Sequence, residues 1–394
     1  MSRRRRAVGV ERFEPAPLDA PLLEVEDLHT HFRTGRGVAR AVDGVSFSLE
    51  RGRTLGVVGE SGSGKTVLAR SIMGLLPKSN VERTGSIKFE GREVIGATPD
   101  DLRELWGSQI SMVFQDPMTS LNPVMKIGKQ ITEMLLQHLD ISKDYARELA
   151  LSLLESVGIP EADRRLKEYP HQMSGGMRQR IMIAIAIACG PKLLFADEPT
   201  TALDVTVQAQ ILDLLQAQQR ERFMAMILVT HDLGVVAGRT DEIAVMYAGR
   251  VVEKAPTKVL FSELRHPYTE ALLRSIPKLG APSHTRLAAI GGRPPDIVNP
   301  PAGCKFSPRC PYARERCLEE EPPLIDTATP GHEFRCWIPV GTPENREALE
   351  ANRAAGAPSA LAVVGEGNGM GTAAAPSAPT PHTRSGSIDT KGGA

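Results

Sequence analysis

Short apolar runs recur along the chain and predict strands that are buried on both faces of a sheet. Each run is a few residues long and is bounded by turn-forming residues, which is typical of a strand in a parallel sheet. The runs are Thr54–Val58, Ile110–Phe114, Lys192–Ala196 and Ala225–Thr230. A mainly parallel sheet of this kind predicts an α/β fold.

Apolar residues at helical spacing occupy the segments between these runs. After the first run this spacing continues as far as Pro77, through Val67, Leu68, Ile72, Met73, Leu75 and Leu76. Between the second and third runs it predicts amphipathic helices, through Ile127, Ile131, Met134, Leu135, Ala150, Leu153, Leu154 and Val157. The longest apolar run, Ile181–Cys189, is shorter than the ~20 residues that cross a bilayer, so we interpret it as a buried helix. Glu242–Tyr247 and Arg250–Glu253 predict a hairpin.

The segment between the first strand and the first helix has the pattern G-x-x-x-x-G-K-[ST] of a phosphate-binding loop. Such a loop wraps backbone N–H groups around nucleotide phosphates at the positive end of the helix that follows. We expect Lys65 to reach the β- and γ-phosphates and Thr66 to ligate Mg²⁺. The other loop residues expected to contact ATP are Gly59, Ser61, Gly62, Ser63 and Gly64. A glycine-rich turn that merely precedes a helix is the alternative.

Polar side chains follow the other predicted strands. Asp197 and Glu198 come directly after one of them, where ligands bind in open parallel sheets, and Gln115 and His231 follow two others. Asp197 can complete the Mg²⁺ shell, and Glu198 can orient or deprotonate the water that attacks the γ-phosphate. Gln115 can contact Mg²⁺ or its water, and His231 can donate to the γ-phosphate. A solvated strand end is the alternative interpretation for each.

Taken in order, these motifs resemble the ATP-binding subunit of ABC transporters over residues 22–275. The ordered set is GESGSGKT at 59–66, Gln115, MSGGM at 173–177, LLFADEP at 193–199, TALD at 201–204 and THD at 230–232. The Ser-Gly-Gly element separates this family from other phosphate-loop ATPases. The resemblance implies that Ser174, Gly175 and Gly176 begin a helix that faces the γ-phosphate bound by the opposite subunit. It also implies nucleotide contacts from Asp204 and from Phe32, an aromatic expected to stack on adenine. Phe32 fits a core position equally well, and Met173 and Met177 depart from the commoner LSGGQ.

Four cysteines lie in a proline-rich segment after residue 275. Cys304, Cys310, Cys317 and Cys336 have the spacing C-x5-C-x6-C-x18-C, without the paired C-x2-C of most structural zinc sites. Four thiolates can hold either an iron–sulfur cluster or zinc. Together with HPYTEALL at 266–273, this segment resembles the C-terminal extension of ATP-binding subunits of di- and oligopeptide ABC importers, to which nickel importers are close relatives. The resemblance favours a [4Fe–4S] cluster, with zinc as the alternative.

Composition narrows the class of protein further. The chain has 394 residues, with 47 basic and 47 acidic side chains. This balance disfavours a nucleic-acid binder, which would normally show a basic face. Arginines occupy positions 3–6 with no apolar segment behind them, so we expect no secretory signal. We therefore expect a peripheral protein on the cytoplasmic face of the cell membrane.

The predicted organisation is an α/β, phosphate-loop ABC ATPase core with a mainly parallel sheet, an antiparallel β subdomain and a helical subdomain, plus a small cysteine-rich extension. Residues 1–21 are expected to be a flexible N-terminus, 22–275 the nucleotide-binding domain with its helical subdomain near 116–190, 276–340 the extension, and 341–394 a disordered tail. The resemblance implies ATP hydrolysis that energises di- or oligopeptide import. The implied partners are a second ATP-binding subunit, expected to be a different chain, two transmembrane permeases and, indirectly, an extracytoplasmic peptide-binding protein. A nickel, glutathione or other small-solute importer is one alternative, and a soluble non-transport ABC ATPase is another.

Overall fold

The protein folds into two β-sheets with helices around them, and a computed structural model describes residues 20–77, 79–200, 203–276 and 290–356. The strands are β1 (Leu23–Thr34), β2 (Gly37–Leu49), β3 (Thr54–Val58), β4 (Val81–Phe89), β5 (Arg92–Glu93), β6 (Ile110–Val113), β7 (Leu193–Asp197), β8 (Ala225–Thr230), β9 (Glu242–Tyr247), β10 (Arg250–Pro256), β11 (Ile325–Asp326) and β12 (Glu333–Phe334). The helices are α1 (Lys65–Ile72), α2 (Pro99–Leu105), α3 (Pro117–Ser120), α4 (Ile127–His138), α5 (Lys143–Ser156), α6 (Ala162–Arg165), α7 (Gly175–Ile187), α8 (Val205–Arg222), α9 (Leu233–Val236), α10 (Thr257–Glu263), α11 (Pro267–Arg274), α12 (Glu315–Glu319) and α13 (Pro343–Ala354).

The larger sheet has, within the described residues, the strand order β11-β12-β10-β9-β3-β8-β7-β6. Strands β6, β7, β8, β3 and β9 are parallel, and β10 returns antiparallel to β9 as the predicted hairpin. The predicted apolar runs form β3, β6, β7 and β8, and every residue of these strands is buried. The α/β class and the mainly parallel sheet are therefore confirmed.

The smaller sheet is antiparallel, with the order β2-β1-β4-β5, and it covers one face of the larger sheet. Alternating side chains of the buried strands belong to two different cores, as strand geometry requires. Leu55 and Val57 of β3 pack with the smaller sheet and α1. Val58 packs on the opposite side with helices α4, α5, α7 and α8. The phosphate-binding loop leaves β3 at the edge between these two layers.

Helices α3 to α7 span residues 117–187, within the segment predicted as a helical subdomain. The residues predicted to form its apolar faces are buried, except for Met134, which is half-buried. The apolar run that begins at Ile181 lies in α7, so the prediction of a buried helix is confirmed. Helix α1 ends at Ile72, earlier than Pro77, because Gly74 adopts a left-handed φ of 69°, a common helix stop. No helix in the described part of the chain is long and apolar enough to cross a membrane.

The cysteine-containing segment is built onto the larger sheet, because β12 pairs with β10. The prediction of a disordered tail from residue 341 is wrong for its first residues, which form α13. Thr342 caps this helix by accepting a hydrogen bond from the Asn345 N–H, Pro343 occupies its first turn, and Ala348 is fully buried. The predicted tail beyond residue 356 and the N-terminus before residue 20 lie outside the described residues.

Candidate functional site

The phosphate-binding loop joins β3 to α1 and lines a cleft of about 850 Å³. A Cβ atom at Gly59 would lie 2.2 Å from the Met246 carbonyl oxygen, and one at Gly64 would lie 2.2 Å from that of Ala41. Neighbouring strands therefore approach the loop so closely that only glycine fits at these positions. The Lys65 ammonium donates to the carbonyl oxygens of Gly59, at 2.7 Å, and Glu60, at 3.0 Å. Burial lowers the pKa of Lys65, but the carboxylates nearby favour its charged form.

The residues predicted to hold Mg²⁺ lie beside the loop. The Thr66 hydroxyl donates to Asp197 Oδ1 at 3.0 Å, which joins the first turn of α1 to the end of β7. Asp197 is almost completely buried, and this burial raises the pKa of its carboxyl group. A hydroxyl and a carboxylate are hard oxygen donors, so this pair suits a hard cation such as Mg²⁺.

Gln115, Glu198 and His231 converge on the same cleft from the ends of β6, β7 and β8. Gln115 Nε2 donates to Glu198 Oε2 at 3.1 Å, and His231 Nδ1 lies 3.4 Å from the same oxygen. Lys65 Nζ lies 3.9 Å from Glu198 Oε1. Glu198 has a left-handed φ of 46°, a conformation that costs energy in a non-glycine residue and is found at functional sites. A carboxylate at the strand edge, between an amide and an imidazole, can orient a water molecule.

The other predicted nucleotide contacts lie away from the cleft within one chain. Ser174 caps α7 by accepting from the Met177 N–H at 3.3 Å, and Gly175 is exposed at the start of that helix. Asp204 caps α8 by accepting from the Val207 N–H at 2.9 Å. Phe32 lies on β1, opposite Ala39 of β2 and Val81 of β4. None of these residues lines the cleft in the described part of the chain.

Several residues at the cleft were not predicted, and most belong to the C-terminal part of the chain. Leu272, Ser275, Ile290, Pro294 and Ile297 line it, along with Ala41 of β2. The Arg40 N–H donates to the Ile297 carbonyl oxygen at 3.0 Å, so the segment near Ile297 lies along β2. Leu272 belongs to the HPYTEALL segment, but nothing local in the sequence places it or the others at the cleft, because their contacts join positions far apart in the sequence.

The extension and helix α11 both contact the phosphate-binding loop directly. Arg309 forms an ion pair with Glu60, with contacts of 2.6 and 2.9 Å, and the Tyr268 hydroxyl accepts from the Glu60 N–H at 2.7 Å. Arg309 also donates to the carbonyl oxygens of Gly291 and Ile290. Tyr268 lies in the HPYTEALL segment and Arg309 directly precedes Cys310, but no feature of the sequence indicated that either residue contacts Glu60.

The four cysteines of the extension surround one small cavity beside Pro267 and Trp337. The Cys304 N–H donates to the Cys317 carbonyl oxygen at 2.8 Å. Burial raises the pKa of the Cys304 thiol to about 11 and raises those of Cys310 and Cys336 as well. A bound metal favours the thiolate form and reverses this effect.

The chemistry of this cavity suits a thiophilic metal centre. Four cysteine thiolates can bind either zinc or an iron–sulfur cluster. Among the described residues, only His29, His31 and Asp43 bring three ligand atoms within 4.8 Å of one another, so the four sulfurs do not all surround one point as closely as the ligands of a single ion do. The residue types present fit either group.

Comparison with known proteins agrees with the ATPase geometry of the cleft between the phosphate-binding loop and the strand ends. The family model "ABC transporter" matches residues 42–201, and "Oligopeptide/dipeptide transporter, C-terminal region" matches residues 252–317. The chain is 51% identical to the oligopeptide transport ATP-binding protein OppD of Escherichia coli, over 81% of this chain and 94% of that protein. It is 49% identical to OppD of Bacillus subtilis, over 80% of this chain and 88% of the relative. It is 48% identical to the dipeptide transport ATP-binding protein DppD of Bacillus subtilis, over 80% of this chain and 94% of that protein.

Solved structures show the same core. A dimeric ATP-binding cassette in a post-hydrolysis state, bound to ADP and Pi, superposes with a TM-score of 0.54 at 25% identity, covering 60% of this chain and 98% of that one. A dimeric bacterial ABC transporter cassette superposes equally well, with 26% identity and the same coverage. The chain belongs to the family of ATP-binding subunits of oligopeptide and dipeptide ABC transporters, and it is an ABC-type ATPase.

Proposed function

We propose that this chain hydrolyses ATP to energise the import of oligopeptides or dipeptides through a membrane complex. The observation that carries the proposal is the convergence of Gln115, Glu198 and His231 on a cleft formed by the phosphate-binding loop. The similar chains are oligopeptide and dipeptide transport ATP-binding proteins, and they supply the substrate class.

Each side chain of the site has a proposed role in ATP binding or hydrolysis. The loop amides and Lys65 bind the phosphates. Phe32 does not line this cleft, but it lies on the same sheet as Ala41, which does, and we assign it to an adenine that extends beyond the phosphates. Glu198 orients the attacking water and accepts its proton, while Gln115 and His231 hold the Glu198 carboxylate in place. Thr66, Asp197 and Gln115 would hold Mg²⁺, which when bound draws negative charge from the phosphate oxygens.

Hydrolysis needs a second subunit, because Ser174, Gly175, Gly176 and Asp204 lie outside the cleft of their own chain. The exposed start of α7 supplies unpaired N–H groups, which suit the γ-phosphate of a facing subunit. The similarity to dimeric cassettes supports this arrangement. The second subunit is a different ATP-binding chain. The pair binds two transmembrane permeases on the cytoplasmic face of the membrane, as a peripheral component, and receives peptide from an extracytoplasmic binding protein.

Cys304, Cys310, Cys317 and Cys336 hold a [4Fe–4S] cluster. Support comes from the single cavity that they share and from the match of residues 252–317 to the C-terminal region of oligopeptide and dipeptide transporters. Iron, sulfide and zinc analysis of anaerobically purified protein tests this assignment. Cys310→Ser should lose the iron, whereas Cys189→Ser, which lies in the ATPase core, should retain it. Stoichiometric zinc without iron contradicts the cluster.

Glu198→Gln tests the proposed chemistry in the assembled transporter. We expect ATP binding to persist and hydrolysis to fall by about 10²-fold or more, because the amide cannot accept a proton. Glu26→Gln, at an exposed position on β1, is the matched control and should hydrolyse ATP at the normal rate. Uptake of labelled oligopeptide, with nickel and glutathione as competing solutes, tests the substrate class. Normal hydrolysis by Glu198→Gln would refute the catalytic role, and uptake of nickel without peptide would refute the substrate.

A further inference from the structure

Two histidines and an aspartate form a cluster on the smaller sheet, away from the cysteines and the catalytic side chains. His29 and His31 lie two residues apart on β1, and His29 is paired with Asp43 of β2. Their ligand atoms all lie within 4.8 Å of one another, which no other trio of histidine, cysteine or acidic residues achieves in the described part of the chain.

Two of the three distances between ligand atoms in this cluster match the edges of a metal tetrahedron, and the third, between the two histidines, is within 4.8 Å. Asp43 Oδ1 lies 3.2 Å from His29 Nδ1 and 3.3 Å from His31 Nε2. Nitrogen and oxygen ligands bind zinc at about 2.0–2.1 Å, so two ligands of one tetrahedral ion are about 3.3 Å apart. One ion can therefore contact all three side chains with little rearrangement.

The outward atoms of Asp43 and His29 are already held by other groups. Asp43 Oδ2 accepts from Lys305 Nζ at 3.0 Å and from Arg250 Nε at 3.1 Å, so Oδ1 is left toward the imidazoles. His29 Nε2 lies 3.1 Å from Asp27 Oδ1. A carboxylate that holds the far nitrogen of a ligating histidine is a recurrent feature of metal sites, where it fixes the orientation of the ring.

A neutral His29 ring cannot donate a hydrogen bond to both Asp43 and Asp27. A neutral imidazole has one N–H, whereas Asp43 and Asp27 each place an acceptor oxygen against one of its two nitrogens. With the proton on Nε2, toward Asp27, the Nδ1 lone pair would face Asp43 Oδ1. A cation between Nδ1 and Oδ1 resolves this conflict, and a second proton on the ring is the competing solution.

The surrounding charge and exposure also permit a cation. Asp27, Asp43 and Glu321 face Lys305, Arg250 and Arg335, so three negative and three positive groups balance and no net positive charge opposes a cation. The side chains of His29 and His31 are 28% and 23% exposed, so an ion can enter from solvent. Asp43 is almost completely buried, which excludes much of the water that would compete for its oxygen.

We propose that His29, His31 and Asp43 form a binding site for a first-row divalent metal ion, with Zn²⁺ the best match and water as the fourth ligand. The bound ion would join β1 to β2 beside Lys305, the neighbour of Cys304, and so fix the position of the extension against the smaller sheet. This inference stands independently of the transport function and of the cluster in the extension.

Cobalt titration of the full chain is the first test, because Co²⁺ reports its ligands by colour. The protein is used anaerobically and as purified, so that any metal held by the cysteines stays in place, and MgADP fills the nucleotide cleft. We expect one equivalent of Co²⁺ to give visible d–d bands without the near-ultraviolet band of a cobalt–thiolate bond. Absence of these bands from wild type at about millimolar Co²⁺, far above the dissociation constant of a built site, would overturn the proposal and favour a doubly protonated His29.

Substitutions then assign the ligands. His31→Gln should abolish the cobalt bands, whereas His171→Gln, at an exposed histidine of the helical subdomain, should leave them unchanged. Asp27→Asn should weaken Co²⁺ binding by about 10–100-fold, the effect of losing an outer-shell partner. Asp27 has a left-handed φ of 46°, which asparagine tolerates, and its side chain is 80% exposed, so this variant should fold. Unchanged Co²⁺ affinity in Asp27→Asn and in His31→Gln would refute the site.

Discussion

Arg309 forms a two-contact ion pair with Glu60, which joins the cysteine-bearing loop to the phosphate-binding loop. The arginine side chain is 3% exposed and that of Glu60 is 26% exposed. The guanidinium also donates to the Tyr247 hydroxyl at 3.3 Å and to two backbone carbonyl oxygens. Because Arg309 directly precedes Cys310, its ion pair with Glu60 fixes the cysteine loop against the phosphate-binding loop.

Arg309→Met should therefore weaken ATP binding as well as stability. The substitution keeps the apolar stem but leaves the Glu60 carboxylate half-buried without its partner, which should cost about 2–3 kcal/mol of unfolding free energy. The phosphate loop would be held less firmly, and we expect ATP affinity to fall about tenfold, equivalent to about 1.4 kcal/mol. Calorimetric ATP titration and urea denaturation measure the two effects. Arg346→Met, at an exposed position on α13, is the control and should change neither quantity.

The same pair shows what the sequence could and could not predict. The phosphate loop, the buried strands and the polar residues at their ends were predictable, because each depends on a local pattern and on the rule that parallel strands end at one edge. The contact between Arg309 and Glu60 joins residues 249 positions apart, and no periodicity encodes it. The cluster of His29, His31 and Asp43 depends on strand register, which irregularities at Leu28–His29 and Thr30–His31 shift locally. Helix α13 was missed because composition outweighed the capping signal at Thr342 and Pro343.

Two glycines of the phosphate loop should respond differently to alanine. Both have left-handed φ values, 81° at Gly62 and 104° at Gly64. A Cβ at Gly62 would meet no atom within 4 Å, whereas one at Gly64 would lie 2.2 Å from a backbone oxygen of β2. We expect Gly62→Ala to fold with a strain cost of about 1–2 kcal/mol, and Gly64→Ala to lose ATP binding because the loop must separate from β2. Thermal unfolding with and without MgATP measures both effects. Equal stability and equal nucleotide response in the two variants would contradict this account.

Gly175→Ala should lower ATP hydrolysis in the assembled pair without changing ATP binding by the isolated chain. A Cβ at Gly175 would lie 3.6 Å from Leu203 Cδ2, an ordinary contact, and the residue is exposed at the start of α7. The isolated chain should keep its stability and its ATP affinity. In the assembled pair, the added methyl group would displace the opposing γ-phosphate, and hydrolysis at that site should fall by about 10²-fold, the effect of a misplacement of roughly 1 Å. An isolated chain that binds ATP more weakly would place Gly175 in its own nucleotide site instead.

Glu90 connects the two sheets through a pair of charged contacts at their edges. Its carboxylate lies 2.7 Å from Arg51, which follows β2, and 2.7 Å from Lys192, which precedes β7. Burial alone would raise the pKa of Glu90, but the hydrogen bonds from Lys192 and Arg51 lower it below its ordinary value. The folded protein therefore releases this proton more readily than the unfolded chain does.

Glu90→Gln should consequently destabilise the protein in a way that depends on pH. A lowered carboxyl pKa stabilises the folded state above the unfolded value of about 4.3, and this contribution is lost as the pH falls through the lower folded value. We expect the variant to lose about 1 kcal/mol at pH 7 and progressively less as the pH falls below about 4.5. Urea denaturation at several pH values measures the difference, and added salt should reduce it at pH 7 because the groups are partly exposed. Glu155→Gln, on the exposed face of α5, is the control and should change stability by less than about 0.5 kcal/mol throughout. A loss for Glu90→Gln that stays constant from pH 7 to pH 4 would mean that packing, and not charge, makes Glu90 stabilising.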